Sequence, residues 1–182
     1  MDCAARLKAV AEHTVLVDVA MLEKVKHLIT KASVGGGKVI IAGNGASAAM
    51  ASHVAVDLTK VAGVRAINFN EADLITCFAN DYGYEHWVEK ALDFYADPKD
   101  VVILISSSGQ SANIVNAALK AKTMCLKLIT LSGFNEDNRL KKLGDINLWV
   151  NNSQYNIVEI VHQTWLLTVV DQIAAERISN EQ

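Results

Sequence analysis

Short runs of β-branched and aliphatic residues alternate with longer amphipathic stretches along most of this chain. The runs fall at 38–42, 65–69, 101–105, 126–131 and 146–150, and several are apolar on successive residues. That is the pattern of strands covered on both faces. Helical periodicity marks the stretches 46–60, 71–79, 83–95, 111–123, 136–143 and 156–178. Ahead of the first run, Leu7, Val10, Ala11, Val15, Val19, Leu22, Val25, Leu28 and Ile29 keep a near-helical spacing. Gly35, Gly36 and Gly37 end that segment, since glycine takes the turn and C-cap conformations that stop a helix. Alternation of this kind predicts right-handed βαβ crossovers and an α/β, doubly wound parallel sheet of about five strands. No repeat or linker interrupts it. One domain is expected over 1–182, with an N-terminal helical segment at 1–34 and an α/β core at 35–182.

Composition narrows the class. The chain is 51% hydrophobic and 20% charged, with a single proline and a net charge of -3. That excludes long disordered tails, and no basic cluster is dense enough to follow a nucleic-acid backbone. Cys3, Cys77 and Cys125 are far apart and odd in number, which predicts reduced, buried thiols and no disulfide framework or zinc cluster. The opening MDCAARLKAV lacks the basic-then-apolar order of a secretory signal. No apolar run approaches the roughly 20 residues that span a bilayer. The expectation is a cytoplasmic protein without membrane or direct nucleic-acid partners.

In a doubly wound sheet, ligands bind beyond the carboxyl ends of the strands, where strand order reverses. Two loops there carry unusual residues. After the first strand comes Gly43-Asn44-Gly45-Ala46-Ser47-Ala48-Ala49, opening a helix. Small residues admit a ligand to the backbone, and the first-turn N–H groups face it with the helix dipole behind them. Neither the lysine of a nucleoside-triphosphate loop nor the third glycine of a dinucleotide fingerprint is present, so no nucleotide cofactor is expected. After the third strand comes Ser106-Ser107-Ser108-Gly109-Gln110-Ser111. Four hydroxyls and a glycine at a helix N-terminus form a cup of neutral donors suited to a phosphate monoester. Ser111 alone would be explained as an N-cap; four serines in six residues would not.

These two loops, with Ala79-Asn80-Asp81-Tyr82-Gly83-Tyr84, resemble the sugar isomerase (SIS) domain and, more narrowly, the bacterial phosphoheptose isomerases. The likeness runs from the helical N-terminus to the last helix. It implies a flavodoxin-like SIS fold, a homotetramer with sites between subunits, and interconversion of sedoheptulose 7-phosphate with its aldose for surface-glycan synthesis. By the same resemblance Ser106, Ser108 and Ser111, with Ser107 close by, hold phosphate. Asn44 and Ser47 contact the sugar phosphate, and Asp81 bonds sugar hydroxyls.

The family's metal, usually zinc, implies ligands at His53 and Asp57 on the first crossover helix and at Glu159 on the last, with Gln163 one turn on. Two departures stand out. Asp57 is one methylene shorter than the family glutamate, and Leu167 occupies the position of the catalytic histidine. Asp57 and Glu159 are then the candidate acid–base groups for an enediol proton transfer. The bland reading makes His53 a satisfied interior histidine and Asp57 an interface charge. The missing histidine also admits a protein without turnover, either a sugar-phosphate sensor or a tetrameric adaptor for the replication initiator protein. Trp87, Trp149 and Trp165 read as core or subunit contacts, and Lys60 and Arg65 as a solvated pair near the site.

Overall fold

The structure, a computed structural model, describes residues 2–180; Met1, Glu181 and Gln182 of the expected spans lie outside it. Two helices, α1 (Cys3–Val15) and α2 (Val19–Val34), precede the sheet. The periodicity suggested one long helical segment, but the chain breaks at Leu16. Asp18 caps the second helix, its carboxylate accepting from the Ala20 N–H at 3.0 Å, as Asp2 caps the first through Ala5 N–H at 2.7 Å. Gly36, at φ 84, makes the turn that ends α2.

Five parallel strands follow: β1 (Val39–Gly43), β2 (Ala66–Asn68), β3 (Val101–Ser106), β4 (Lys127–Ser132) and β5 (Ile146–Trp149), in spatial order β2-β1-β3-β4-β5. Between them run α3 (Ala46–Lys60), α4 (Ala72–Tyr82), α5 (Trp87–Tyr95) and α6 (Ala112–Thr123); α7 (Tyr155–Asn180) closes the chain. The expected doubly wound sheet is what forms.

Successive residues of a strand point to opposite faces, so the continuous apolar runs fill two cores. Val39, Ile41, Val101, Ile103, Ile105, Ile129 and Leu131 pack under α2, α3 and α7. Ile40, Ala42, Val102, Leu104 and Leu128 pack under α5 and α6. Ile103 and Leu104 are fully buried neighbours that belong to different cores. Truncating either to alanine is worth about 2–5 kcal/mol. Trp87 and Trp165 are core residues, while Trp149 is half-buried with the Lys141 ammonium 4.3 Å from its ring centroid.

Two expectations are corrected. Residues 136–143 form successive turns rather than a helix. There Asn138 turns its buried amide on the backbone: Nδ2 donates to Asn135 O at 2.8 Å, and Oδ1 accepts from Lys141 N–H at 2.9 Å. Side-chain bonds of this kind compete with helical ones. The cysteines are exposed, not buried. Cys3 lies in the first turn of α1, Cys77 lies on α4, which has no buried residue, and Cys125 occupies a turn at φ 57. Among the described residues no helix is long and apolar enough to cross a membrane.

Candidate active site

Strand order reverses between β1, which crosses over to β2, and β3, which crosses over to β4. These two strands are neighbours, with Gly43 opposite Ile105. Their following loops therefore open onto the same crevice. Gly43 has no room for a side chain, since a Cβ would stand 2.6 Å from that of Ser47. This contact brings the first turn of α3 against the end of β1. No side chain caps α3 at Gly45; its first turn is closed instead by the backbone, with Ser47 N–H donating to Asn44 O and Ala48 N–H to Gly45 O, both at 3.0 Å.

The serine loop is held from beneath. The Gly109 N–H donates to Ser106 O at 2.8 Å, Gly133 N–H to Ser107 O at 2.8 Å, and Leu140 N–H to Gly109 O at 3.0 Å. Gly109 sits at φ 65, and any Cβ would meet the Asn138 amide oxygen at 2.0 Å. The turns at 133–141 thus form the floor of the loop. Ser106 Oγ donates to Ser111 Oγ at 3.1 Å, and Ser108 Oγ accepts from Gln110 N–H at 3.3 Å. Ser111 holds the N-cap position of α6 but makes no side-chain cap bond, so its hydroxyl is turned to its neighbours rather than to the helix.

Asn44, Ser47, Ser106, Ser107, Ser108 and Ser111 line one cavity of 110 Å³, joined by Ile105, Tyr155 and Glu159. No lysine or arginine is among them. The cavity is lined by hydroxyls from the starts of two helices, and it brings together all the loop residues that the sequence singled out. Glu159 is its only carboxylate and accepts from Ser107 Oγ at 3.3 Å. The same Glu159 lines an adjoining groove of 580 Å³ with Arg6, His53, Asn156 and Gln163. Glu159 is thus shared between a small hydroxyl-lined pocket and a larger groove.

His53 and Asp57 share a face of α3, with His53 Nε2 3.2 Å from Asp57 Oδ2, and Gln163 Nε2 stands 3.1 Å from His53 Nδ1. Both imidazole nitrogens are engaged, and Glu159 is held by Ser107. Among the described residues no group of three or more His, Cys, Asp or Glu is disposed to hold a metal. Arranged in this way, the implied zinc donors do not form a coordination set. Leu167 packs against the hydrophobic core. His162, fully buried, lies at 3.1 Å between Nε2 and Ser132 O while Nδ1 has no partner; burial pushes its pKa from 6.5 down to about 4.

Asp81 ends up elsewhere. It lies exposed in the last turn of α4, accepting from Asn80 Nδ2 at 2.9 Å, and lines neither space. Arg65 donates to Gly36 O and Lys60 ends α3; neither reaches the cavity. Sequence reasoning overlooked Tyr155, Arg6, Asn113 and Tyr84. Tyr155 and Asn113 open helices beside the site, a position that flags them. Arg6 comes from a distant helix and carries no such signal.

Comparison with known proteins agrees with this geometry. Residues 4–133 match the SIS domain, which defines the class. The chain is 34% identical over 148 residues to a phosphoheptose isomerase of Helicobacter pylori, covering 78% of this chain and 77% of that one. It is 32% identical over 161 residues to that of Helicobacter hepaticus, covering 85% and 82%. The solved structure of the phosphoheptose isomerase from Neisseria gonorrhoeae superposes with a TM-score of 0.85 at 26% identity, over 93% of this chain and 94% of that one. The chain belongs to the phosphoheptose isomerase family of SIS domain proteins.

Proposed function

We propose that this chain is an aldose–ketose isomerase of a sugar phosphate, with sedoheptulose 7-phosphate the first substrate to assay and surface-glycan heptose its use. The observation that carries the reading is the position of Glu159, which lines both a hydroxyl pocket without lysine or arginine and a larger groove of 580 Å³. Phosphate occupies the pocket, and the carbon chain runs past the carboxylate. Glu159 takes a proton from C1 of the ketose, and the freed electron pair forms the C1–C2 double bond of an enediol. His53, beside Asp57, gives a proton to O2 and then takes the one leaving O1. The Glu159 carboxyl returns its proton to C2, and both groups are restored. Asp57 acts in this scheme through His53, since it is His53 that lines the trough.

Zinc held by His53, Asp57 and Glu159, with Gln163 beside them, would require these residues to give up the bonds they make to one another and to Ser107. Exposed apolar side chains on the first two helices support a homotetramer built through the 1–34 segment around the 35–182 core: Leu7 is 73% exposed, Val15 78% and Val19 65%. The reading is of a cytoplasmic enzyme whose trough is completed by a neighbouring subunit.

A second reading, binding without turnover as a sensor or as an adaptor for the replication initiator protein, is favoured by one observation: apolar Leu167 packed into the core. An NMR assay over a panel of sugar phosphates separates the two. Turnover of a heptulose phosphate is expected, with Glu159→Gln slowing it by about 10²–10⁴-fold while binding persists. Binding with no turnover of any sugar in the panel would establish the second reading. Full turnover by both Glu159→Gln and Asp57→Asn enzymes would refute the assigned roles.

A further inference from the structure

The side chain of Asn44 is held by two residues that line neither the hydroxyl pocket nor the groove beside it. Asn113, 2% exposed, faces it as a reciprocal amide pair: Asn113 Nδ2 donates to Asn44 Oδ1 at 2.8 Å, and Asn44 Nδ2 donates to Asn113 Oδ1 at 2.9 Å. The Tyr84 hydroxyl donates to the same Asn44 Oδ1 at 3.2 Å. A carboxamide has two acceptor lone pairs and two N–H donors. Both lone pairs of Asn44 Oδ1 are therefore committed, as is one N–H. One N–H remains, on a residue that lines the phosphate-sized cavity.

We propose that Asn113 is a positioning residue which, with Tyr84, fixes the Asn44 amide so that it offers the cavity a donor and no acceptor. The ligand atom it selects is an anionic or carbonyl oxygen, of the phosphate or of the sugar beside it. A hydroxyl seeking an acceptor finds none there. This rests on the sugar-phosphate reading and deepens it.

The fold makes the arrangement economical. Asn113 lies in the first turn of α6, two residues after Ser111, so the helix that carries the serine loop also orients the β1 loop. One turn later Asn116 Nδ2 donates to the Glu85 carbonyl at 2.9 Å. The segment bearing Tyr84 is thereby pinned to the same helix. Three pieces of the site, which are 44, 84 and 106–111 in sequence, are registered by one helix face. Rotating the Asn44 amide by half a turn would set like against like across the Asn113 pair, two oxygens facing and two N–H groups facing.

A binding cycle tests this. Inorganic phosphate and sedoheptulose 7-phosphate are titrated into wild type, Asn44→Ala, Asn113→Ala and the double variant, with side-chain amide NMR on the ligand-free proteins. Asn113→Ala is expected to weaken binding about tenfold and to raise KM more than it lowers kcat. In the Asn44→Ala background the same change should have almost no effect. The Asn44 side-chain N–H signals, dispersed and slow to exchange in wild type, should move to the free-amide position in Asn113→Ala. Tyr84→Phe removes one hydroxyl from a half-exposed ring and leaves the core untouched. It should weaken binding about threefold, again only when Asn44 is present. Additive losses, or Asn44 signals unchanged by Asn113→Ala, overturn the positioning role and leave the enzyme reading intact. A wild type that binds neither phosphate nor the sugar overturns the sugar-phosphate reading, and this proposal with it.

Discussion

His162 makes the stability of this protein fall as acid is added, over a window that its burial sets. Its ring is inside the core beneath α7, with Nε2 at 3.1 Å from the Ser132 carbonyl and Nδ1 unpartnered. No carboxylate bonds to it, so nothing compensates a positive charge there, and its pKa lies near 4 against 6.5 for a free imidazole. The unfolded chain therefore binds the proton more readily than the folded one between those values, and stability must rise with pH across them. The contribution is complete above about pH 6.5 and is lost progressively as pH falls toward 4. With 1.36 kcal/mol per pKa unit, the loss between pH 7 and pH 4.5 comes to about 2.5 kcal/mol. Urea denaturation of wild type and His162→Leu at half-unit pH steps isolates it, because every other titrating group is common to both. The difference between the two stabilities should change by about 2.5 kcal/mol across that range, and the wild-type imidazole should stay neutral by NMR down to about pH 5. A difference that does not vary with pH, or an imidazole that titrates between 6 and 7, refutes the argument.

Gly109→Ala forces a left-handed residue to carry a Cβ into the buried Asn138 amide; strain and displaced hydrogen bonds together should cost about 3 kcal/mol, seen as a lowered Tm with loss of phosphate binding. Ser106→Ala and Ser111→Ala should each weaken phosphate binding about five- to tenfold with little change in Tm, measured by calorimetric titration. Leu16→Glu paired with Val19→Glu should shift the assembly to smaller species in light scattering without altering the circular dichroism, because both side chains are exposed in the single chain. Metal analysis of protein purified without chelator should find substoichiometric zinc, because His53 and Asp57 are engaged with each other and Glu159 with Ser107; one tightly held equivalent, lost in His53→Ala, would show that they regroup.

The fold was readable because strands buried on both faces leave an unmistakable signal, and all five runs proved to be strands. The one false helix, 136–143, has apolar residues at suitable spacing but lies in a segment of asparagines and aspartates. Asn135 and Asn138 bond to nearby backbone there, and periodicity does not register that competition. Cysteine burial failed for a related reason. Apolar neighbours in sequence say little about Cys125, whose backbone turns through φ 57 at the surface, or about Cys77, on a helix with no fully buried residue.

The site divides along the same physical line. The hydroxyl-lined pocket was legible because its residues lie in two contiguous loops, each tied to a strand end and a helix start, so local sequence already implied their convergence. Acid–base chemistry depends instead on contacts between distant elements. Residues 53, 57 and 163 meet through the packing of α3 on α7, and residues 107 and 159 through the packing of α7 beside β3. Spacing alone placed His53 and Asp57 on one helix face, but it did not say whether they face a ligand or each other, and they face each other. Asn113 illustrates the limit most sharply. It stands two residues from the serine loop, yet its partner Asn44 is 69 positions away. A polar side chain opening a buried helix turn must find a hydrogen-bonding partner or cost about 1–3 kcal/mol. That requirement, applied to the residues just beyond a recognised loop, is the general means of finding such positioning groups from sequence.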